Sequence, residues 1–164
     1  DELLDLVKKQ EVSAKKGKLK IFFGMCAGVG KTYSMLQEAH RKLKEGVQVI
    51  IGVINTHGRK ETEELVIGLP LIPPKRLPYR GAVFEEFDLD ETLKLKPQLV
   101  LVDELAHTNS PGSRHKKRWQ DVEELLNAGI DVFTTLNVQH IESRKDLVES
   151  ISEVSIRETV PDSI

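Results

Sequence analysis

The stretch Leu19-Lys20-Ile21-Phe22-Phe23-Gly24-Met25-Cys26-Ala27-Gly28-Val29-Gly30-Lys31-Thr32 decides the fold. Four of its first five residues are apolar and the run is β-prone, and Gly24, Gly28 and Gly30 then turn the strand into a tight loop. Lys31-Thr32 opens a helical pattern in which Tyr33, Met35, Leu36, Ala39 and Leu43 share a broad stripe. Strand, glycine loop, Gly-Lys-Thr and helix, in that order, are the context of a phosphate-binding P-loop. Glycines let successive backbone amides point inward at phosphate oxygens, and the helix N-terminus adds a favourable dipole. In such a loop Lys31 reaches the β- and γ-phosphates and the Thr32 hydroxyl is a ligand for Mg²⁺. The common GxxxxGK spacing puts its first glycine at position 25, where this chain has Met25, and Gly24 stands one residue early. A glycine-rich turn that merely starts a helix is the plain alternative; the strand, the lysine and the threonine together argue against it.

Away from this loop, strand and helix patterns alternate. Gly46 ends the first helix, and Val47 to Ile54 is a buried-strand run that leads into polar Asn55-Thr56-His57-Gly58 and a helix over Lys60 to Ile67. Pro70, Pro73, Pro74 and Pro78 make Gly68 to Gly81 a loop with at most a short strand near Leu77 to Arg80. Asp88 suits the N-cap of a short helix over Glu91 to Leu95. Leu99 to Val102 is a second continuous apolar strand. Lys117 to Asn127 is a helix with Trp119, Val122, Leu125 and Leu126 inward, and Gly129 caps it before the strand Val132 to Leu136. A helix over Ile141 to Ser150 and a weak strand over Val154 to Ile156 follow. At the start, Leu3, Leu4 and Val7 mark an amphipathic helix over residues 2 to 16 ended by Gly17, which could dock on the domain or on a partner. The chain thus divides into an N-terminal helix, 1–16, and a P-loop nucleotide-binding domain, 17–164. The alternation predicts an α/β three-layer sandwich of the P-loop NTPase type with a mostly parallel sheet, whose ligands bind at the C-terminal strand ends.

Every polar cluster falls at such an end. Asp103 follows four apolar residues, as a Walker B acid does, and would hold the magnesium shell directly or through water. Glu104 stands where ATPases of this type keep an acid that polarises the attacking water; the alternative is a pair of surface acids at a strand end. ATP is favoured over GTP because no Asn-Lys-x-Asp segment is present. The candidate catalytic set is Lys31, Asp103 and Glu104. The candidate nucleotide-binding set is Gly24, Gly28, Val29, Gly30, Lys31, Thr32 and Asn137, with Thr32 and Asp103 as magnesium ligands. Thr135, Asn137, Gln139 and His140 stand where a polar side chain senses the γ-phosphate, or form an ordinary loop. Thr56-His57-Gly58-Arg59 could bring a cation to the phosphates or cap the next helix. His107, Thr108, Asn109, Arg114, His115 and Arg118 could face the γ-phosphate or a partner. The absence of close Cys/His spacing argues against a zinc site. Cys26 reads as a small residue that fits the loop, although oxidation there could block nucleotide.

Composition narrows the classes further. A length of 164 residues, 39% hydrophobic and 30% charged, suits one folded domain. Lys plus Arg number 24 against 26 Asp plus Glu, and the net charge of −2 gives no global attraction for nucleic acid or anionic lipid, so any anion site must be local. One cysteine allows no internal disulfide, the start shows no signal-peptide pattern, and no apolar run approaches the roughly 20 residues of a membrane-spanning helix. A reducing cytosol is the expected compartment.

The segments GMCAGVGKTYSMLQEA, NTHGRKETEEL, FDLD, LVLVDELAHTNSPGSRHKKRWQDVEELLNAGIDVFTTLNVQHIES and RETVPD together resemble the N-terminal cytoplasmic domain of the KdpD family, bacterial sensor histidine kinases for potassium limitation and osmotic stress. The resemblance covers nearly the whole chain after the first helix. It implies phosphate-loop roles for Gly24, Gly28, Gly30, Lys31 and Thr32 and Walker B roles for Asp103 and Glu104, and the early Gly24 fits that family's loop. It also implies a fragment of a larger protein, the cytoplasmic part of a bacterial inner-membrane sensor, with membrane contact only through the parent. The implied partners are the remaining domains of the parent kinase and, through it, a cognate response regulator; nucleic acid is not among them. Nothing here resembles the phospho-accepting histidine box or the kinase's own ATP-binding domain, so autophosphorylation is implied for the parent alone. The expected function is an ATP- and Mg²⁺-binding regulatory or sensor domain. The alternatives are a P-loop ATPase or protein-hydroxyl kinase acting through Lys31, Asp103 and Glu104, and a pure interaction module. A thymidine-kinase-like enzyme would need zinc-binding cysteines that the chain lacks.

Overall fold

The short apolar runs pack with alternate side chains on opposite faces of one parallel sheet. The computed structural model describes residues 16–24 and 30–137 and the backbone of 154–159. The strands are β1 (Leu19–Gly24), β2 (Val49–Val53), β3 (Lys75–Tyr79), β4 (Ala82–Glu86), β5 (Leu99–Val102), β6 (Asp131–Asn137) and β7 (Val154–Thr159). The helices are α1 (Lys31–Lys44), α2 (Lys60–Val66), α3 (Leu89–Leu95) and α4 (Arg118–Asn127). The main sheet has the order β2-β5-β6-β1-β7 with every pairing parallel, so all its strands end on the same edge.

Two cores cover the two faces. Ile21, Phe23, Val100, Val102 and Val132 pack on one side with Val122, Leu125 and Leu126 of α4. Phe22, Leu99, Leu101 and Phe133 pack on the other with Met35, Leu36 and Ala39 of α1. This is the predicted α/β architecture, with helices on both faces of a parallel sheet, because strands apolar on both faces need cover on both. Each such aliphatic or aromatic side chain contributes about 1.5–3 kcal/mol when removed from water.

Two glycines are fixed by close approach. A Cβ at Gly17 would lie 2.0 Å from the Ile130 carbonyl oxygen, so Gly17 serves the contact between the entry to β1 and the turn before β6. A Cβ at Gly52 would lie 2.5 Å from the Phe87 ring, at the place where the β2–β5 register shifts between Ile51 and Val53.

Within the proline-rich stretch Gly68 to Gly81 the short strand expected near Leu77 to Arg80 is found as β3, beginning two residues earlier, and the expectation of an otherwise open loop is corrected by its antiparallel pairing with β4, in which Pro78 pairs with Val83. A two-stranded ribbon leaves each strand an unpaired edge, which is where a strand proline is tolerated. The turn residues Arg80 and Gly81 both have positive φ, 48° and 79°, the backbone of a tight hairpin turn. Asp88 caps α3 as expected, its Oδ1 accepting from the Glu91 N–H at 3.0 Å, although the helix starts at Leu89. β7 runs to Thr159, beyond the expected Ile156. The helices expected over 2–16 and 141–150, loop residues Met25 to Val29, and Gln139 and His140 lie outside the described residues.

Candidate functional site

At the shared C-terminal edge, β5 delivers Asp103 into a fully buried position, 1% exposed. Its surroundings hold it on every side. Its N–H donates to the Val53 carbonyl at 3.0 Å, and its own carbonyl accepts from Arg118 Nη1 at 2.8 Å. Its carboxylate accepts from Thr32 Oγ1 (3.1 Å to Oδ2), from the Asn55 N–H (3.0 Å) and, closely, from the Thr135 hydroxyl. Burial pushes its pKa above the ordinary aspartate value; the Thr135, Asn55 and Thr32 hydrogen bonds oppose that shift, and the Glu104 charge adds to it. A carboxylate that burial makes costly to ionise is a natural seat for a cation, which inverts that preference.

Glu104 follows with φ of 59°, a left-handed backbone that is unusual for a non-glycine residue. Its N–H donates to Asp103 Oδ1 at 3.1 Å and to Thr135 Oγ1 at 3.0 Å, so one hydroxyl on β6 serves both acids. The β-strand order explains this: β6 lies between β5 and β1, and Thr135 is the bridge.

A cavity of about 170 Å³ opens here, lined by Lys31, Thr32, His57, Asp103, Glu104, Ala106, His107, Thr135, Leu136 and Asn137. Lys31 and Thr32, the first residues of α1, are both buried, and Gly30 before them has the left-handed φ of 71° that lets the chain turn into the helix. Asn137 stands directly opposite Gly24 in the β1–β6 register, and its Oδ1 is buried without a hydrogen-bond partner among the described residues. Of the candidate residues, Lys31, Thr32, Asp103, Glu104 and Asn137 therefore converge on one cavity, while Gly30 lines a neighbouring one and Gly24 pairs with Asn137. Gly28 and Val29 lie outside the described residues. The donor set fits a magnesium nucleotide: a single buried carboxylate, a hydroxyl beside it, an ammonium group, and a carboxamide oxygen that could accept from a coordinated water. Mg²⁺ characteristically uses one or two carboxylates, keeps several waters and takes phosphate oxygens.

The loop beyond Glu104 splits its candidates. His107 reaches the cavity and shares a hydrogen bond between its Nε2 and the Glu86 carboxylate at 3.0 Å. Arg118 is buried and structural, joining the Asp103 carbonyl to Glu86. Arg114 turns away to Asp90 and Glu124, and His115 pairs with Glu124 at 2.8 Å. Thr108 accepts from Lys117 Nζ, and the Asn109 amide donates to Asp121 Oδ2 and the His115 carbonyl. Arg59 flanks α2 and lines a second, neighbouring cavity rather than the one around Asp103.

Two residues of this arrangement escape the sequence. Asn55 contacts both acids, its Nδ2 donating to Glu104 Oε1 at 2.8 Å; its place directly after a buried parallel strand is the available signal. Glu86 receives the Ser110 N–H at 2.7 Å and the Ser110 hydroxyl at 2.6 Å besides His107 and Arg118, and it sits on a strand of the unexpected hairpin. Burial pushes the Glu86 pKa up, but the Ser110 and His107 hydrogen bonds outweigh it and hold the carboxyl below its ordinary value.

The family model for KdpD, described as the osmosensitive K⁺ channel His kinase sensor domain, matches residues 15–164. The chain belongs to the KdpD family. The sensor protein KdpD of Escherichia coli (strain K12) is 56% identical over 158 residues, 96% of this chain and 18% of that protein. KdpD of Clostridium acetobutylicum is 56% identical over 162 residues, 99% of this chain and 18% of that one. KdpD of Mycobacterium tuberculosis (strain H37Rv) is 52% identical over 155 residues, 94% and 18%. The chain thus spans less than a fifth of the length of these KdpD relatives. Among solved structures, the Aeropyrum pernix ORC2 protein, in ADPNP-ADP complexes, is similar with a TM-score of 0.48 and 18% identity, covering 98% of this chain and 46% of that one. A second solved structure, an ATPase domain, is similar with a TM-score of 0.42 and 12% identity, covering 94% and 78%. Among the described residues of this KdpD sensor domain, no helix is long and apolar enough to cross a membrane.

Proposed function

We propose that this domain binds Mg-ATP in the cavity around Asp103 and, as the nucleotide-sensing part of a two-component sensor kinase responding to potassium limitation or osmotic stress, passes its bound state to the rest of the parent protein. The observation that carries this reading is the pairing of the first-turn hydroxyl of α1, Thr32, with the buried carboxylate of Asp103 at 3.1 Å. Lys31 and the N-terminus of α1 hold phosphate oxygens; Thr32 and Asp103 hold the magnesium ion; Asn137 accepts from a water of its shell. Gly24, Gly28, Val29 and Gly30 supply the backbone curl for the phosphates. The loops after β2 and β5 and the end of β6 border the cavity, so occupancy changes the surface that these loops present to the remaining domains. On this reading the domain lies on the cytoplasmic side of a parent protein held in the inner membrane, and the parent acts through a response regulator. The reading is tested by calorimetric titration with Mg-ATP. Lys31→Ala should abolish measurable binding, and unchanged affinity would sink the proposal.

A second reading is favoured by Glu104, whose side chain also lines the cavity. A carboxylate there can take the proton of an attacking water or of a hydroxyl on a protein partner, which would make the domain an ATPase or a protein-hydroxyl kinase acting through Lys31, Asp103 and Glu104. Incubation with γ-labelled ATP separates the readings: free phosphate marks hydrolysis, labelled protein marks transfer, and intact bound ATP marks a sensor alone.

A further inference from the structure

The carboxylate of Glu104 is tied back. Asn55 follows β2, which flanks β5 on the side opposite β6 and β1, and its Nδ2 donates to Glu104 Oε1 at 2.8 Å. The orientation of this carboxamide is determined, because its Oδ1 accepts from the His57 N–H at 2.9 Å; the amino group must therefore be the end that meets Glu104. The Asn55 backbone is fixed as well, its N–H donating to Asp103 Oδ2 at 3.0 Å. Nor can Glu104 shift its main chain, since its N–H is held by Asp103 and Thr135. What remains adjustable is the Glu104 side chain, and Asn55 draws it toward the β2 side of β5, away from the strand that leads into the phosphate loop.

We propose that Asn55 is a positioning residue, a latch that withholds Glu104 from the reacting water and keeps ATP turnover slow until the loop between β2 and α2 moves. The proposal rests on the nucleotide-binding reading above and goes beyond it by assigning the restraint to one side chain. In the released state the water oxygen bonds to the γ-phosphorus, the bond from that phosphorus to the β–γ bridging oxygen breaks, ADP leaves with that oxygen, and the water's proton passes to the Glu104 carboxylate. In the latched state the Asn55 donor holds Oε1, and with it the carboxylate, on the β2 side of β5. The loop has room to move. Thr56, His57 and Arg59 wall a cavity of about 550 Å³ together with Tyr33 and Gln37 of α1, so displacing residues 56–59, and with them the His57 N–H that orients the Asn55 carboxamide, meets open space rather than core. His57 and Thr32 border both this cavity and the one around Asp103, which puts the loop beside the bound phosphates.

The test uses the 164-residue chain and its Asn55→Asp variant. Asp keeps the side-chain acceptor for the His57 N–H and replaces the donor to Glu104 with a like charge. Phosphate release at saturating Mg-ATP should rise about tenfold, the factor corresponding to loss of one charged hydrogen bond that holds the resting state. Nucleotide affinity, read with a fluorescent ATP analogue, should stay within about twofold, a split that a merely structural role would not produce. Asn55→Ser, which also keeps an acceptor for the turn but cannot reach Glu104, should raise the rate without the added charge. Glu104→Gln should abolish the gain in both backgrounds. An unchanged or lower rate in both Asn55 variants at retained affinity, including the case in which no variant releases phosphate, overturns the latch. Failure of the unsubstituted chain to bind Mg-ATP overturns instead the nucleotide reading beneath it.

Discussion

Thr32 Oγ1 donates to Asp103 Oδ2 across 3.1 Å, joining the first turn of α1 to the end of β5 although the two residues are 71 positions apart. On the proposed function, hydroxyl and carboxylate satisfy each other here until a magnesium ion would separate them. Thr32→Val removes the hydroxyl at nearly constant volume. Affinity for ATP should then fall about tenfold or more in the presence of Mg²⁺ and remain nearly unchanged in EDTA, measured by titration under both conditions.

Adjacent threonines on β6 should behave in opposite ways. The Thr135 hydroxyl serves Asp103 and the Glu104 N–H, whereas the buried Thr134 hydroxyl makes no hydrogen bond among the described residues. Thr135→Val should cost about 2–3 kcal/mol in urea unfolding, because it removes a hydrogen bond to the buried Asp103 carboxylate and one from the Glu104 N–H. Thr134→Val should cost under about 1 kcal/mol or stabilise, since it removes an unsatisfied group from the core.

Glu86 ties the β3–β4 hairpin to the site through Ser110, His107 and Arg118. Its pKa in the fold lies below the ordinary glutamate value, so its contribution to stability is complete above that value and is lost as pH falls through the folded pKa. The melting temperature of the unsubstituted chain should fall more steeply than that of Glu86→Gln as pH is lowered from about 5 to about 2–3. At neutral pH Glu86→Gln should be the less stable of the two by about 3 kcal/mol, since Arg118 loses its buried partner.

Gly52 and Gly46 give a packing test. A Cβ at Gly52 meets Phe87, whereas one at Gly46 meets nothing within 4 Å and suffers only from the φ of +91°. Gly52→Ala should cost about 1–3 kcal/mol through displacement of the ring, and Gly46→Ala about 1 kcal/mol from backbone strain, compared by thermal unfolding.

The strands that feed the site are legible in the sequence because each is a short, largely apolar run, and the candidates Lys31, Thr32, Asp103 and Glu104 are legible because chemistry and chain position coincide at a helix start and a strand end. The β3–β4 hairpin is not, because Pro78 reads as a strand breaker and Arg80-Gly81 lacks the usual Asn-Gly turn signal, although the turn is formed by two left-handed residues. Arg118, His107, Arg114 and His115 read as one undivided cluster. Those four lie within a dozen positions of one another, and nothing local distinguishes a side chain that turns into the core from one that pairs across the surface. The structure separates them by which neighbour each meets: Glu86 for His107 and Arg118, Asp90 and Glu124 for Arg114, Glu124 for His115.

The sequence by itself determined the α/β class, the KdpD family and the residue types placed at the ends of β1, β5 and β6, since periodicity, glycine spacing and terminal polar residues are local properties of the chain. Tertiary structure alone decided that Thr135 bridges Asp103 and Glu104, that Arg118 is buried against the Asp103 carbonyl, and that Asn55 holds the Glu104 carboxylate. Each of these depends on strand order, which places β6 on one side of β5 and β2 on the other. Order among parallel strands is set by how two apolar faces are covered at once, a property of the packed whole that no single segment encodes.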